Sequence, residues 1–125
     1  MTTPTTITLD EKYAQFDDHW SPHIVAELNG QHVKIAKVKG EFIWHRHENE
    51  DELFMVLKGT LYIDFREGGT RTIGPGQLLV VPAGMDHRPY TKGREEVHIL
   101  MMEPAGTLNT GNVTTEHTKT DLPRI

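Results

Sequence analysis

The sequence contains no cysteine. That absence removes disulfides, thiolate nucleophiles, iron–sulfur ligation and cysteine-based zinc sites together. Basic charge is also short: 13 Lys and Arg stand against 18 Asp and Glu, a formal net charge of −5. A chain of that sign lacks the electrostatic footprint of a nucleic-acid binder or of a protein that docks on anionic membrane. No apolar run approaches the roughly 18 residues that cross a bilayer. Residues 1–10 are polar and Thr-rich, with neither a basic start nor an apolar stretch, so no secretory leader is read there. Together these absences make a cytoplasmic location the expectation.

What remains is an ordinary globular composition over 125 residues, with 36% hydrophobic and 25% charged. That length suits one domain with a core of its own. One count is unusual: eight histidines.

Residues 1–6 are read as loose. Asp10 is placed as the N-cap of a short helix carrying Tyr13, Ala14 and Phe16, which ends before Pro22. Apolar runs over 24–28 and 31–39 flank Asn29-Gly30, a strong hairpin signal. Further strands are expected over 41–47, 52–58, 60–66, 70–73, 78–81 and 95–103, with Gly and Pro between them. The run 78–81 reads as fully buried. In 52–58 both faces are apolar: Leu53, Met55 and Leu57 oppose Phe54 and Val56. Residues 104–125 show no sustained period and read as a surface tail. Many short strands at 8–12-residue spacing indicate an all-β sandwich or barrel with a short N-terminal helix. The whole chain, 1–125, is expected to be one domain: an arm over 1–20, a barrel over about 23–103, and the tail.

His45 and His47 are two apart on a predicted strand, so both point to one face, about 7 Å apart. Glu52 opens the following strand and returns beside them if the two strands form a hairpin. His87 follows the turn Pro82-Ala83-Gly84, where a side chain can be aimed back into a barrel. Three imidazoles and one carboxylate make a ligand set for a divalent metal.

Those residues carry a family resemblance. Gly40, His45-Arg46-His47, Glu52 and Gly59 resemble the first cupin motif. Four residues separate His47 from Glu52 and six separate Glu52 from Gly59, as in that motif, whereas four residues separate Gly40 from His45, one fewer than usual. Gly76, Pro82-Ala83-Gly84 and His87 resemble the second motif, with Thr91 where Asn is usual. The match is closest to small bacterial cupins of the mannose-6-phosphate isomerase-like kind. The resemblance implies a double-stranded β-helix, a jelly-roll barrel that is frequently dimeric. It also implies His45, His47, Glu52 and His87 as ligands.

An ion held by four such groups stays a Lewis acid with two open positions if octahedral. Mn, Fe, Co, Ni and Zn all suit the donor set. The expected function is a metal-dependent enzyme acting on a small oxygenated metabolite by isomerase, dioxygenase or lyase chemistry. The alternative is a non-catalytic domain that binds or senses a small molecule or sugar. His98 is the candidate general base, with Tyr62 and Glu50 behind it. The acidic loop Glu48, Glu50 and Asp51 disfavours strongly anionic ligands. A homodimer is expected, because Leu53, Met55 and Leu57 need a cover outside the barrel.

Overall fold

A computed structural model describes residues 3–125; Met1 and Thr2, the start of the segment read as loose, lie outside the described residues. The elements in chain order are helix α1 (Leu9–Tyr13) and strands β1 (His23–Leu28), β2 (Gln31–Val38), β3 (Glu52–Lys58), β4 (Leu61–Phe65), β5 (Gly69–Ile73), β6 (Leu78–Val81), β7 (His87–Tyr90) and β8 (Val97–Pro104). They form two antiparallel sheets, one in the order β1-β2-β8-β3-β6 and the other β5-β4-β7. This is the jelly-roll arrangement the sequence points to.

Period two decides what lies between the sheets. Ala36, Val38, Phe54, Val56, Leu61, Ile63, Val97, Ile99 and Met101 alternate inward and form the main core. The opposite face of the larger sheet is covered by α1 and its flanks: Tyr13 and Phe16 pack on Ile35, Leu57 and Leu100. Leu57 therefore finds its cover within the chain. The Tyr13 hydroxyl donates to the Ile99 carbonyl, which ties the arm to β8. The first hairpin turns through Asn29 (φ 49°) and Gly30 (φ 76°), both left-handed as its sequence requires.

Several expectations need correction. Thr8, not Asp10, stands at the helix N-cap, and no side-chain cap bond forms. Asp10 lies inside the first turn, where its charge still favours the helix dipole. Residues 41–47 are not a strand: their backbone pairs with β7 at the isolated bridges Glu41↔Tyr90 and His45↔His87. The register slips by one residue between those bridges, and Pro89 in between has no N–H to donate, so no continuous ladder can form. Strand β6 is not fully buried: Leu79 and Val81 face the core, but Leu78 is 58% and Val80 50% exposed, because β6 is a sheet edge. The segment 87–90, for which no strand was expected, forms β7.

Residues 105–125 lie at the surface and are tied down at several points. Thr110 is fully buried and bonded to Thr118 at 2.7 Å. The chain end lies against β1 through Ile24 N–H to Pro123 (2.8 Å) and Ile125 N–H to Ile24 (3.0 Å). In the arm, Trp20 adopts φ 56°. That conformation costs a bulky side chain about 1–3 kcal/mol. Trp20 is held there by its N–H to Lys37 (2.9 Å) and its indole N–H to Lys39 (3.0 Å).

Gly59 offers a test of backbone constraint. It adopts φ +82°, and a Cβ there would meet Val97 Cγ2 at 2.9 Å, whereas one on Gly30 (φ +76°) would meet nothing within 4 Å. Gly59→Ala should cost about 2–3 kcal/mol and Gly30→Ala about 1 kcal/mol. Urea midpoints at constant slope would show this. Equal losses would mean that the Val97 contact yields freely.

Candidate metal centre

The four residues singled out by spacing come together inside one end of the barrel. One ligand atom from each of His45, His47, Glu52 and His87 lies within 4.8 Å of the others, and all four side chains are buried. His45 and His87 face one another across an antiparallel bridge and exchange both backbone bonds, at 3.0 and 2.9 Å. Gly84 N–H donates to the His47 carbonyl at 2.7 Å, which locks the turn before β7 against the ligand segment. Thr91, at the unusual motif position, closes the other end: its hydroxyl accepts from Gly40 N–H at 2.7 Å and its N–H donates to the Gly40 carbonyl at 2.9 Å.

Tautomers follow from the partners. Nδ1 of His45 contacts the Ile43 carbonyl at 2.9 Å, and Nδ1 of His87 contacts the Met85 carbonyl at 3.0 Å. A carbonyl only accepts, so each Nδ1 carries the proton and each Nε2 presents a lone pair. His47 Nε2 and His87 Nε2 stand 3.3 and 3.7 Å from Glu52 Oε1. These three atoms are buried with no hydrogen-bond partner. Buried polar atoms are nearly always satisfied. A cluster of converging lone pairs without donors fits a cation, and these four residues could hold a metal ion.

A further carboxyl escaped the sequence reading. Glu103, next to last in β8, is 2% exposed; extending the register Leu53↔Met102 by one residue sets it opposite Glu52. Its Oε1 accepts from the buried Lys34 ammonium at 2.8 Å, and its Oε2 has no partner. Burial and the Glu52 charge push the Glu103 carboxyl well above its usual range, against the pull of Lys34. Burial also pushes Glu52 upward, but contacts from Glu103, His47 and His87 prevail and hold it well below. The unpartnered Glu103 Oε2 thus belongs to a carboxyl that burial and the Glu52 charge bias toward its protonated form. The signal was available: alternation through Val97, Ile99 and Met101 carries on to Glu103.

His98 is placed on the other face of β8, stacked on Tyr13 at 4.3 Å and 3.5 Å from Glu96. Alternation turns His98 away from the four-residue cluster, so the structure does not bring this candidate base together with it. Tyr62 stacks on Tyr90 on the outside of the smaller sheet. Glu50 remains in its loop and lines no part of the cavity beside the cluster. That cavity is walled by apolar groups, among them Phe42, Phe54, Ile99 and Met101, with His45, Glu52 and Glu103 as its ionisable lining. In the acidic loop, Glu48 is bonded to Arg46 at 2.7 Å and Asp51 accepts from Ala83 N–H at 2.9 Å.

Comparison with known proteins agrees with this geometry. The cupin domain model matches residues 31–103, and the chain belongs to that family. It is 38% identical over 78 residues to the uncharacterized protein YdbB of Bacillus subtilis, covering 62% of this chain and 63% of YdbB. It is 39% identical over 57 residues to an acireductone dioxygenase of Leishmania braziliensis, covering 42% of this chain and 16% of that enzyme. The chain thus spans less than two thirds of either relative. Among solved structures, a cupin-2 domain containing protein from Shewanella frigidimarina superposes with a TM-score of 0.74 at 42% identity, covering 78% of this chain and 93% of that one. No helix among the described residues is long and apolar enough to cross a membrane.

His45 supplies a pH prediction for metal-free protein. Burial, then the neighbouring His87, lowers its pKa to about 4. The unfolded value is about 6.5, so between the two the unfolded chain binds more protons and stability rises with pH. Metal-free protein should lose roughly 3 kcal/mol through His45 as pH falls from about 6.5 to 4. Urea titrations in chelator should show a steeper loss for the native sequence than for His45→Gln. Identical slopes would remove His45 from the account.

Proposed function

We propose that this cupin is a divalent-metal-dependent enzyme acting on a small oxygenated metabolite, with His45, His47, Glu52 and His87 as ligands. The observation that carries the reading is the set of buried, unpartnered atoms on His47, Glu52 and His87. Mn, Fe, Co, Ni or Zn suits three imidazoles and one carboxylate. The ion would supply Lewis acidity toward a substrate oxygen. The chain's own residues do the rest. Nδ1 bonds to Ile43 and Met85 orient two of the imidazoles. Apolar walls exclude water. Glu103 stands beside Glu52, biased toward its protonated form by burial and the Glu52 charge, and Lys34 fixes where that carboxyl stands. A second buried carboxyl beside the cluster, with an unpartnered Oε2, offers catalysis a proton-transfer group that a sensing domain does not need. The dioxygenase reading takes added support from the acireductone dioxygenase relative.

Elemental analysis of untagged protein, purified without added metal, should find about one divalent ion per chain. Glu52→Gln should weaken that binding about 10–100-fold. Glu103→Gln should keep the ion and lower oxygen uptake with an enediol substrate by about 100-fold or more. Full occupancy in a His45→Ala/His47→Ala double variant would sink the assignment.

We also propose a homodimer. Leu53 faces Val80 and Met55 faces Leu78 across the β3–β6 ladder, so half-buried and exposed apolar side chains form one patch on the outer face. Light scattering should give twice the chain mass of 14.2 kDa, and Val80→Asp should halve it. A 14.2 kDa particle for the native sequence at micromolar concentration would refute the dimer.

A further inference from the structure

The cavity beside the metal centre is small. It measures about 30 Å³, which is room for about two waters. Every residue lining it is buried except Trp20 and Asn109, which are half-buried. Those two therefore frame its mouth. Neither belongs to a strand, and both lie outside the family match at 31–103.

The two sides of the mouth are built differently. Asn109 is fixed: its amide donates to the His117 carbonyl at 2.8 Å and accepts from Lys119 N–H at 2.8 Å. The segment around it is clamped to the segment that carries His45 and His47, because Asn112 N–H donates to the Arg46 carbonyl and Asn112 Oδ1 accepts from Arg46 N–H, each at 2.9 Å. Gly111 lies so near that a Cβ would stand 2.1 Å from the Arg46 carbonyl oxygen. Trp20 is the strained side, at φ 56°. Its ring stacks on Phe42 at 4.8 Å, and Phe42 meets His45 edge-on at 5.4 Å. A bulky residue in the left-handed region at the rim of a site points to a functional constraint.

We propose that Trp20 and Asn109 form a size gate over the metal cavity. The gate admits oxygen ligands of two or three carbons with a short apolar end and refuses aryl-sized ones. Trp20 is the residue that sets the limit. The inference rests on the metal reading above only for the chelating head of the probes.

Acetohydroxamate and benzohydroxamate carry the same chelating head and differ in bulk. On metal-loaded native protein, calorimetry should find acetohydroxamate bound at least ten-fold more tightly. Trp20→Gly, which suits a positive φ, should raise benzohydroxamate affinity at least ten-fold and leave acetohydroxamate within about three-fold. Trp20→Phe, which keeps a ring against Phe42, should fall between and serves if the glycine variant is unstable. Equal affinities in the native protein, or equal changes for both ligands in the variants, would overturn the gate while the metal reading stands. A second arm uses chelator-treated protein. Carbethoxylation of His45 by diethyl pyrocarbonate, read by mass spectrometry against half-buried His117, should speed up at least five-fold in Trp20→Gly. An unchanged rate overturns the gate. A faster rate in protein that never holds metal keeps the gate and removes the metal reading.

Discussion

Three imidazoles and two carboxyls buried at one end of an apolar barrel impose the constraint that the rest of the structure answers. Each buried polar atom left unpaired costs about 1–3 kcal/mol. The fold satisfies some of them internally, through the Nδ1 bonds of His45 and His87 and the Lys34–Glu103 pair. It leaves His47 Nε2, His87 Nε2 and Glu52 Oε1 converging without a donor. Such an arrangement is poor design for stability alone, since apolar replacements of similar volume do as well or better. It makes sense as a place prepared for a cation.

The surrounding elements hold that place open. The ligand segment 41–47 cannot join the smaller sheet as a strand, because Pro89 and the one-residue slip break the ladder. Only the bridge His45↔His87 survives at the end near Glu52, and it sets two of the clustered histidines directly across from one another. Glu52 arrives from β3 in the other sheet and Glu103 from β8 beside it. Both sheets therefore contribute to one site, so the packing of Phe54, Ile63 and Ile99 between them also sets the ligand distances.

Much of this was readable before any coordinates. Alternation located the inner face of β3, Asn29-Gly30 located the first hairpin, and motif spacing located the four clustered residues. The failures have physical causes. A four-residue apolar run cannot say whether its strand is central or at an edge, so Leu78 and Val80 were misjudged. A histidine near the right strand end drew attention to His98, although period two sends its side chain outward. The same periodicity, followed one step past Met101, would have found Glu103. Residues 104–125 carry no periodic signal because they bind through turns and side-chain-to-backbone bonds, as Asn109, Thr110 and Asn112 do.

The arm and the C-terminal segment therefore do more than cap the barrel. Arg46 lies between two of the clustered histidines, and its backbone is bonded on both sides of the peptide to Asn112. The carbonyl of the next residue, His47, is bonded to Gly84 at the turn before His87. A displacement of the C-terminal segment would thus pull on the peptide that carries His45 and His47. Widening the cavity at Asn109 would disturb the ligand cluster, whereas widening it at Trp20 would not, since Trp20 touches that cluster only through the Phe42 ring. Ligand geometry and ligand access are in this way assigned to different segments. The family match covers the barrel over residues 31–103, whereas Trp20 and Asn109, at the mouth of the cavity, lie outside it.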